Sequence, residues 1–144
     1  WSIGASNMLA GVVGQFTSKY ENQGTVNSPA ANELDLGTPK WLSRGRLQWQ
    51  FAQFDSTVFV NYTGKYQNDL SVNGGTVPYT AGAYTTVDLH LGYTLPDQGW
   101  TKGTIVSLDV EDLFDRSPAE TPAGPAVYTN VIGRVFRLGV RKSW

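Results

Sequence analysis

The sequence predicts an all-β protein built from antiparallel, up-and-down strands of a transmembrane β-barrel. Three observations predict it. Six segments alternate apolar and polar side chains over roughly 10 to 13 residues. The connections between them alternate long and short, and aromatic residues collect at the segment ends. Alternation marks a strand because successive side chains point to opposite faces of the pleat. Soluble strands usually run to about five or six residues, whereas a tilted strand crossing a bilayer needs roughly 9 to 11.

The first segment, residues 7–20, has the weakest pattern, with Met8, Ala10, Val12 and Phe16 opposite Asn7, Gln15, Thr17 and Lys19. Residues 43–54 set Leu47, Trp49 and Phe51 against Arg44, Arg46, Gln48 and Gln50. Residues 56–67 place Val58, Val60, Tyr62 and Tyr66 opposite Asn61, Thr63 and Lys65, with Phe59 as an exception on the polar side. Residues 85–96 oppose Val87, Leu89, Leu91, Tyr93 and Leu95 to Thr86, Asp88, His90, Gly92 and Thr94. Residues 103–114 oppose Val106, Leu108 and Val110 to Ser107, Asp109 and Glu111. The last segment, residues 133–144, carries Phe136, Leu138, Val140 and Trp144 on one face and Val135, Arg137, Gly139, Arg141 and Ser143 on the other.

Long connections at 21–41, 68–83 and 115–126 alternate with short ones around Asp55 and at 96–100. Up-and-down outer-membrane barrels have this order, with long loops outside the cell and short turns in the periplasm. Tyr20, Trp41, Phe54, Tyr66, Tyr84, Trp100 and Trp144 lie at or just beyond segment ends. Amphipathic rings at those positions suit the boundary between bilayer and water.

Composition narrows the function classes. The chain of 144 residues is long enough for one domain. It has no cysteine, so no disulfide framework and no thiolate nucleophile or metal ligand is available. Net charge is −1 without any block of like charges, which argues against a nucleic-acid partner. No apolar run is long enough for a transmembrane helix, and the start "WSIGASNMLAG" lacks the basic residues of a signal peptide.

The ionisable residues of the polar faces are the candidate site residues: Arg44, Arg46, Lys65, Asp88, His90, Asp109, Glu111, Arg137 and Arg141. Carboxylates beside an imidazole can exchange protons or ligate a metal. The simpler reading is a lumen wall, which in large barrels is ordinarily lined by such groups. One histidine, no cysteine and no Gly-x-Ser-x-Gly motif leave no catalytic constellation. "SVNGGTV" lacks the Lys-Ser/Thr of a phosphate loop and is expected to be a turn. The expectation is a protein that is not an enzyme and carries no cofactor and no metal.

The stretch "VEDLFDRSP", a loop, and then "YTNVIGRVFRLGVRKSW" resembles the last two strands of TonB-dependent outer-membrane receptors. These often show Val-x-Asn-Leu-Phe-Asp, then Gly-Arg and a closing amphipathic strand with a terminal aromatic. Asp112 stands where the family usually has Asn, and Trp144 where Phe is commoner. "RGRLQWQF", "STVFVNYTGKY" and "AYTTVDLHLGY" also look like strands of that barrel, so the resemblance covers nearly the whole chain. It implies a barrel of about 22 strands, a plug domain inside it and a TonB-contacting segment ahead of the plug. Residues 1–144 are then the C-terminal part of the receptor barrel, in the outer membrane of a Gram-negative cell, taking up a scarce ligand such as a siderophore. The implied partners are outer-membrane lipid, the remaining strands and plug of the receptor, the TonB complex and the barrel-assembly machinery. Phe136, Leu138, Val140 and Trp144 would form the signal read by that machinery.

Two other readings remain open. One is a small closed structural barrel, with two more strands within residues 1–40, because the smallest closed barrels have about eight. The other is a soluble all-β carbohydrate-binding module that stacks sugars on Trp41, Trp49 and Trp100.

Overall fold

Because consecutive segments are joined by connections that reverse the chain, each pairs with its neighbour in antiparallel fashion, and the alternating segments assemble into one sheet. The structure, a computed structural model, describes residues 2–3, 6–23, 26–27, 31–32, 37–118, 120–122, 124–126 and 128–144. The strands are β1 (Ser2–Ile3), β2 (Ser6–Phe16), β3 (Glu21–Asn22), β4 (Ala31–Asn32), β5 (Trp41–Phe51), β6 (Phe54–Thr63), β7 (Tyr66–Val72), β8 (Gly75–Ala81), β9 (Tyr84–Thr94), β10 (Thr104–Glu111), β11 (Glu120–Thr121), β12 (Gly124–Pro125) and β13 (Val135–Lys142). The main sheet has the order β1-β2-β5-β6-β9-β10-β13, and every pairing in it is antiparallel.

All six expected segments are strands of this sheet, with ends displaced by a few residues. β6 stops at Thr63 rather than Gln67. The cause is Gly64, whose N–H donates to the Trp41 carbonyl at 2.8 Å. A Cβ there would sit 3.2 Å from that oxygen, so the strand ends where glycine is needed. Residues 68–83, expected as a loop, are mostly a β7–β8 hairpin. Asn73 and Gly74 both have positive φ, 50° and 79°, which suits a two-residue Asn-Gly turn between twisted strands. β1 adds a short seventh strand. The expected long loop 21–41 lies partly outside the described residues, at 24–25, 28–30 and 33–36, and the loop 115–126 does so at 119 and 123.

The long connections after β2, β6 and β10 all leave one end of the sheet, and the short ones after β5 and β9 leave the other. The short end turns at Ala52 and through a 3₁₀ turn at Gly99–Thr101. No described helix is long and apolar enough to cross a membrane.

Register divides the sheet into two chemically distinct faces. Ala10, Leu47, Val58, Leu89, Val110 and Phe136 form one transverse row, and Met8, Trp49, Ser56, Leu91, Leu108 and Leu138 the next. Most of this apolar face is open, with Val12 79 % and Leu138 77 % exposed, while Val110 within it is buried at 3 %. The buried apolar cluster lies elsewhere and is small, made of Tyr66, Ala81 and Ala126 at the long-loop end. The chain exposes 10093 Å², whereas a compact fold of 15.7 kDa would expose about 7,300 Å².

The sheet is not closed. Among the described residues, β13 pairs with β10 alone, and β2 is covered on its far side only where Ser2 and Ile3 meet Asn7 and Ser6.

Candidate functional site

The polar face carries the ionisable residues, because each strand contributes its alternate positions to it. One row runs Leu9, Gln48, Thr57, His90, Asp109 and Arg137, and another runs Asn7, Gln50, Asp55, Gly92, Ser107 and Gly139. Its chemistry thins on β2, where Leu9, Gly11 and Val13 share this side with Asn7 and Gln15.

His90 is the centre of the wall. Its Nδ1 lies 2.6 Å from Asp109 Oδ1 on β10 and its Nε2 lies 3.4 Å from Asp55 Oδ2 on β6. Asp55 reaches it because Gly92 leaves open the space between them; a Cβ on Gly92 would sit 2.7 Å from the Asp55 carboxyl carbon. Beside this trio, Arg137 donates to both carboxylate oxygens of Glu111, with Nη2 at 3.2 Å from Oε2. Asn61 Nδ2 donates to Asp88 Oδ2 at 2.8 Å and to Thr86 Oγ1 at 3.2 Å. Arg44 sits over the Phe59 ring, 4.1 Å from its centroid. That contact accounts for Phe59, the apolar residue whose phase placed it on the polar side: its ring supports a guanidinium.

The structure therefore brings Asp88, His90, Asp109, Glu111 and Arg137 together, and places Arg44, Arg46 and Arg141 on the same face around them. Lys65 is a correction. It lies past the end of β6, beside Trp41 and Tyr62 at the long-loop end, because Gly64 ends the alternation that put it on the wall. Asp55, at the short connection in the sequence, is a member of the site outside the expected set: it lies at the start of β6 beside His90. Its phase with Thr57, Phe59 and Asn61 was the available signal.

Above this wall the conspicuous stretch "VEDLFDRSP" forms a hydrogen-bonded cap. Asp112 is fully buried with φ 49°. Its N–H donates to Asp88 Oδ1 at 3.1 Å, and its Oδ2 accepts the Arg116 N–H at 3.0 Å. Leu113 N–H donates to the Val87 carbonyl at 2.7 Å, which ties the cap to β9. Asp115 Oδ1 accepts the Arg134 N–H at 2.9 Å, so the Leu-Phe-Asp and Gly-Arg parts of the pattern touch across 19 residues. Tyr84 completes the cap, its hydroxyl donating to the Arg116 carbonyl at 2.9 Å.

The expected aromatic girdles also need one correction. Tyr66 and Tyr84 are buried within the long-loop end, at 3 % and 5 % exposure. Tyr20, Trp41, Phe54, Trp100 and Trp144 are exposed as expected. Lys142 links the last two, donating to the Trp100 carbonyl and lying 5.0 Å from the Trp144 ring centroid. Trp41, Trp49 and Trp100 do not assemble into one stacking surface. The first two are eight residues apart along β5, about 26 Å at ~3.3 Å per residue, and the third is on the turn after β9.

Among the described residues, no group of three His, Cys, Asp or Glu side chains is placed to hold a metal ion. The chain matches no family model, no curated protein and no solved structure. What the polar wall offers chemically is alternating hydrogen-bond donors and acceptors of both charges on a rigid sheet, suited to contact with water or a polar solute.

Proposed function

We propose that residues 1–144 form the closing strands of an outer-membrane barrel of the TonB-dependent receptor type, a receptor and transporter for a scarce ligand. The observation that carries this reading is the apolar face, which runs across six strands and is largely open, with Val12 79 % and Leu138 77 % exposed. A patch that large on a soluble protein would demand a partner; lipid supplies one without further structure. From Trp41 to Phe51, β5 advances about 33 Å, which a strand tilt of about 40° projects to about 25 Å, the height of the apolar band on outer-membrane barrels. Aromatic pairs bound the band at each end: Phe16 with Trp41, centroids 4.6 Å apart, and Phe54 with Tyr93, 4.5 Å apart.

The two open edges support a larger barrel. Unpaired backbone groups in hydrocarbon cost several kcal/mol each, so β13 and β2 require further strands, supplied by the rest of the receptor together with its plug and TonB-contacting segment. The polar wall then faces the lumen, the long loops face the cell exterior, and the chain's work is transport rather than catalysis. Phe136, Leu138, Val140 and Trp144 mark the closing strand for the assembly machinery.

The test is fractionation followed by gel electrophoresis. The protein should sediment with outer membranes, resist extraction by salt and alkali, require detergent, and migrate differently before and after boiling. Recovery as a soluble monomer without detergent would overturn the reading and favour a soluble binding module.

A further inference from the structure

We propose that the long-loop end of the apolar face binds a phosphorylated membrane lipid, its headgroup at Lys40 and Lys65 and an acyl chain along the adjoining trough. The inference rests on the membrane reading and deepens it by naming a lipid subsite. A cleft of about 400 Å³ opens there, lined by Lys40, Trp41, Tyr62 and Lys65 among others. The Gly64 N–H bond to the Trp41 carbonyl holds the end of β6 against the start of β5. Lys40, just before Trp41, and Lys65, just after Gly64, therefore flank the same pair of strands.

Two residues down β6 from Tyr62, about 7 Å at ~3.3 Å per residue, Val60 opens a second depression on the same face. It has about 520 Å³ and is lined mainly by Ala10, Val12, Leu47, Val58 and Val60, with Gly11, Gly45 and Arg46 also contributing. Gly45 faces Val12 on one side and Val60 on the other, so it forms the floor of the trough. Exposed Trp41 and Tyr62 stand between the cationic and apolar parts, where amphipathic rings fit a headgroup boundary.

Charge complementarity selects the occupant. Two ammonium groups beside an apolar trough match an anionic phosphate carried on an acyl chain. Inorganic phosphate would leave the trough unused, and an uncharged lipid would gain nothing from the Lys65 ammonium or from the further donors of Lys40. Lys40 makes another contact within the chain; an ammonium has three donors, which allows that contact and a phosphate together.

The test uses the protein purified from membranes in a non-ionic detergent, stripped of lipid and titrated by native mass spectrometry. The probes are phosphatidylglycerol, diacylglycerol with the same chains, and inorganic phosphate. Phosphatidylglycerol should bind selectively over both. The Lys40→Ala/Lys65→Ala variant should bind it roughly thirtyfold more weakly, and Val60→Trp, which fills the trough and keeps both lysines, should weaken it too. Equal binding by wild type and the double-lysine variant would overturn the lipid site, as would full competition by inorganic phosphate. A protein that needs detergent yet shows either result loses the lipid site and keeps the membrane reading; one that needs no detergent loses both.

Discussion

His90 Nδ1 lies 2.6 Å from Asp109 Oδ1 straight across the β9–β10 pair, while Leu89 and Leu91, its neighbours in sequence, point to the opposite face in register with Val110 and Leu108. One imidazole thereby links β6, β9 and β10 through Asp55 and Asp109. The same three-residue stretch contributes to a polar wall and to an apolar band, so substitutions one position apart should have different costs.

Leu91→Arg should destabilise the folded protein in lipid vesicles by roughly 2 to 4 kcal/mol, the range for a cation near the bilayer midplane. His90→Arg puts its cation beside Asp55 and Asp109 and should cost under about 1 kcal/mol. Urea titration of both variants measures the difference. Equal costs would contradict a lipid-facing Leu91.

Gly92 and Gly139 share one row of the polar face, on either side of Ser107. A Cβ on Gly92 meets the whole Asp55 carboxylate, whereas one on Gly139 meets the Ser107 hydroxyl, which a rotamer change can move. Gly92→Ala should therefore cost about 1 to 3 kcal/mol, as overpacking does, and Gly139→Ala clearly less. Adding Asp55→Ala to Gly92→Ala should restore part of the loss. Strictly additive costs would mean that the two residues do not compete for one space.

Trp144 is fully exposed and its recorded ring contact is with Lys142. Trp144→Ser should leave the unfolding free energy within about 1 kcal/mol of wild type, the scale of an exposed cation–π contact. If the terminal aromatic marks the chain for assembly, the amount of folded protein in the outer membrane should nevertheless fall. Quantitative blotting of membranes beside unfolding of the purified variant separates the two effects. Unchanged abundance would remove the assembly role.

Proteinase K added to intact cells should cut near Asn73–Gly74, at the tip of the β7–β8 hairpin, or within the connection after β10. It should spare Ala52 and the turn at Gly99–Thr101, which leave the other end of the sheet. Mass mapping of the fragments gives the answer, and cleavage confined to the short turns would invert the orientation.

The sequence by itself determined the all-β class, the six long strands and the sorting of residues between two faces, because a period of two converts position directly into direction. Leu89, Leu91, Asp88 and His90 lie on the faces their alternation predicts. Tertiary structure decided what alternation cannot encode. Gly64 ends β6 through a bond to Trp41, on a different strand, and so moves Lys65 off the wall and Tyr66 into a buried cluster. Asp55 joins His90 only because the β6–β9 pairing sets its register opposite Gly92. Asp112 and Asp115, both at positive φ, fold their turn onto Asp88 and Arg134, residues 24 and 19 positions away. Periodicity is a local property of the chain, whereas register, strand ends and buried turns depend on which distant backbone groups meet, and those pairings exist only in the assembled sheet.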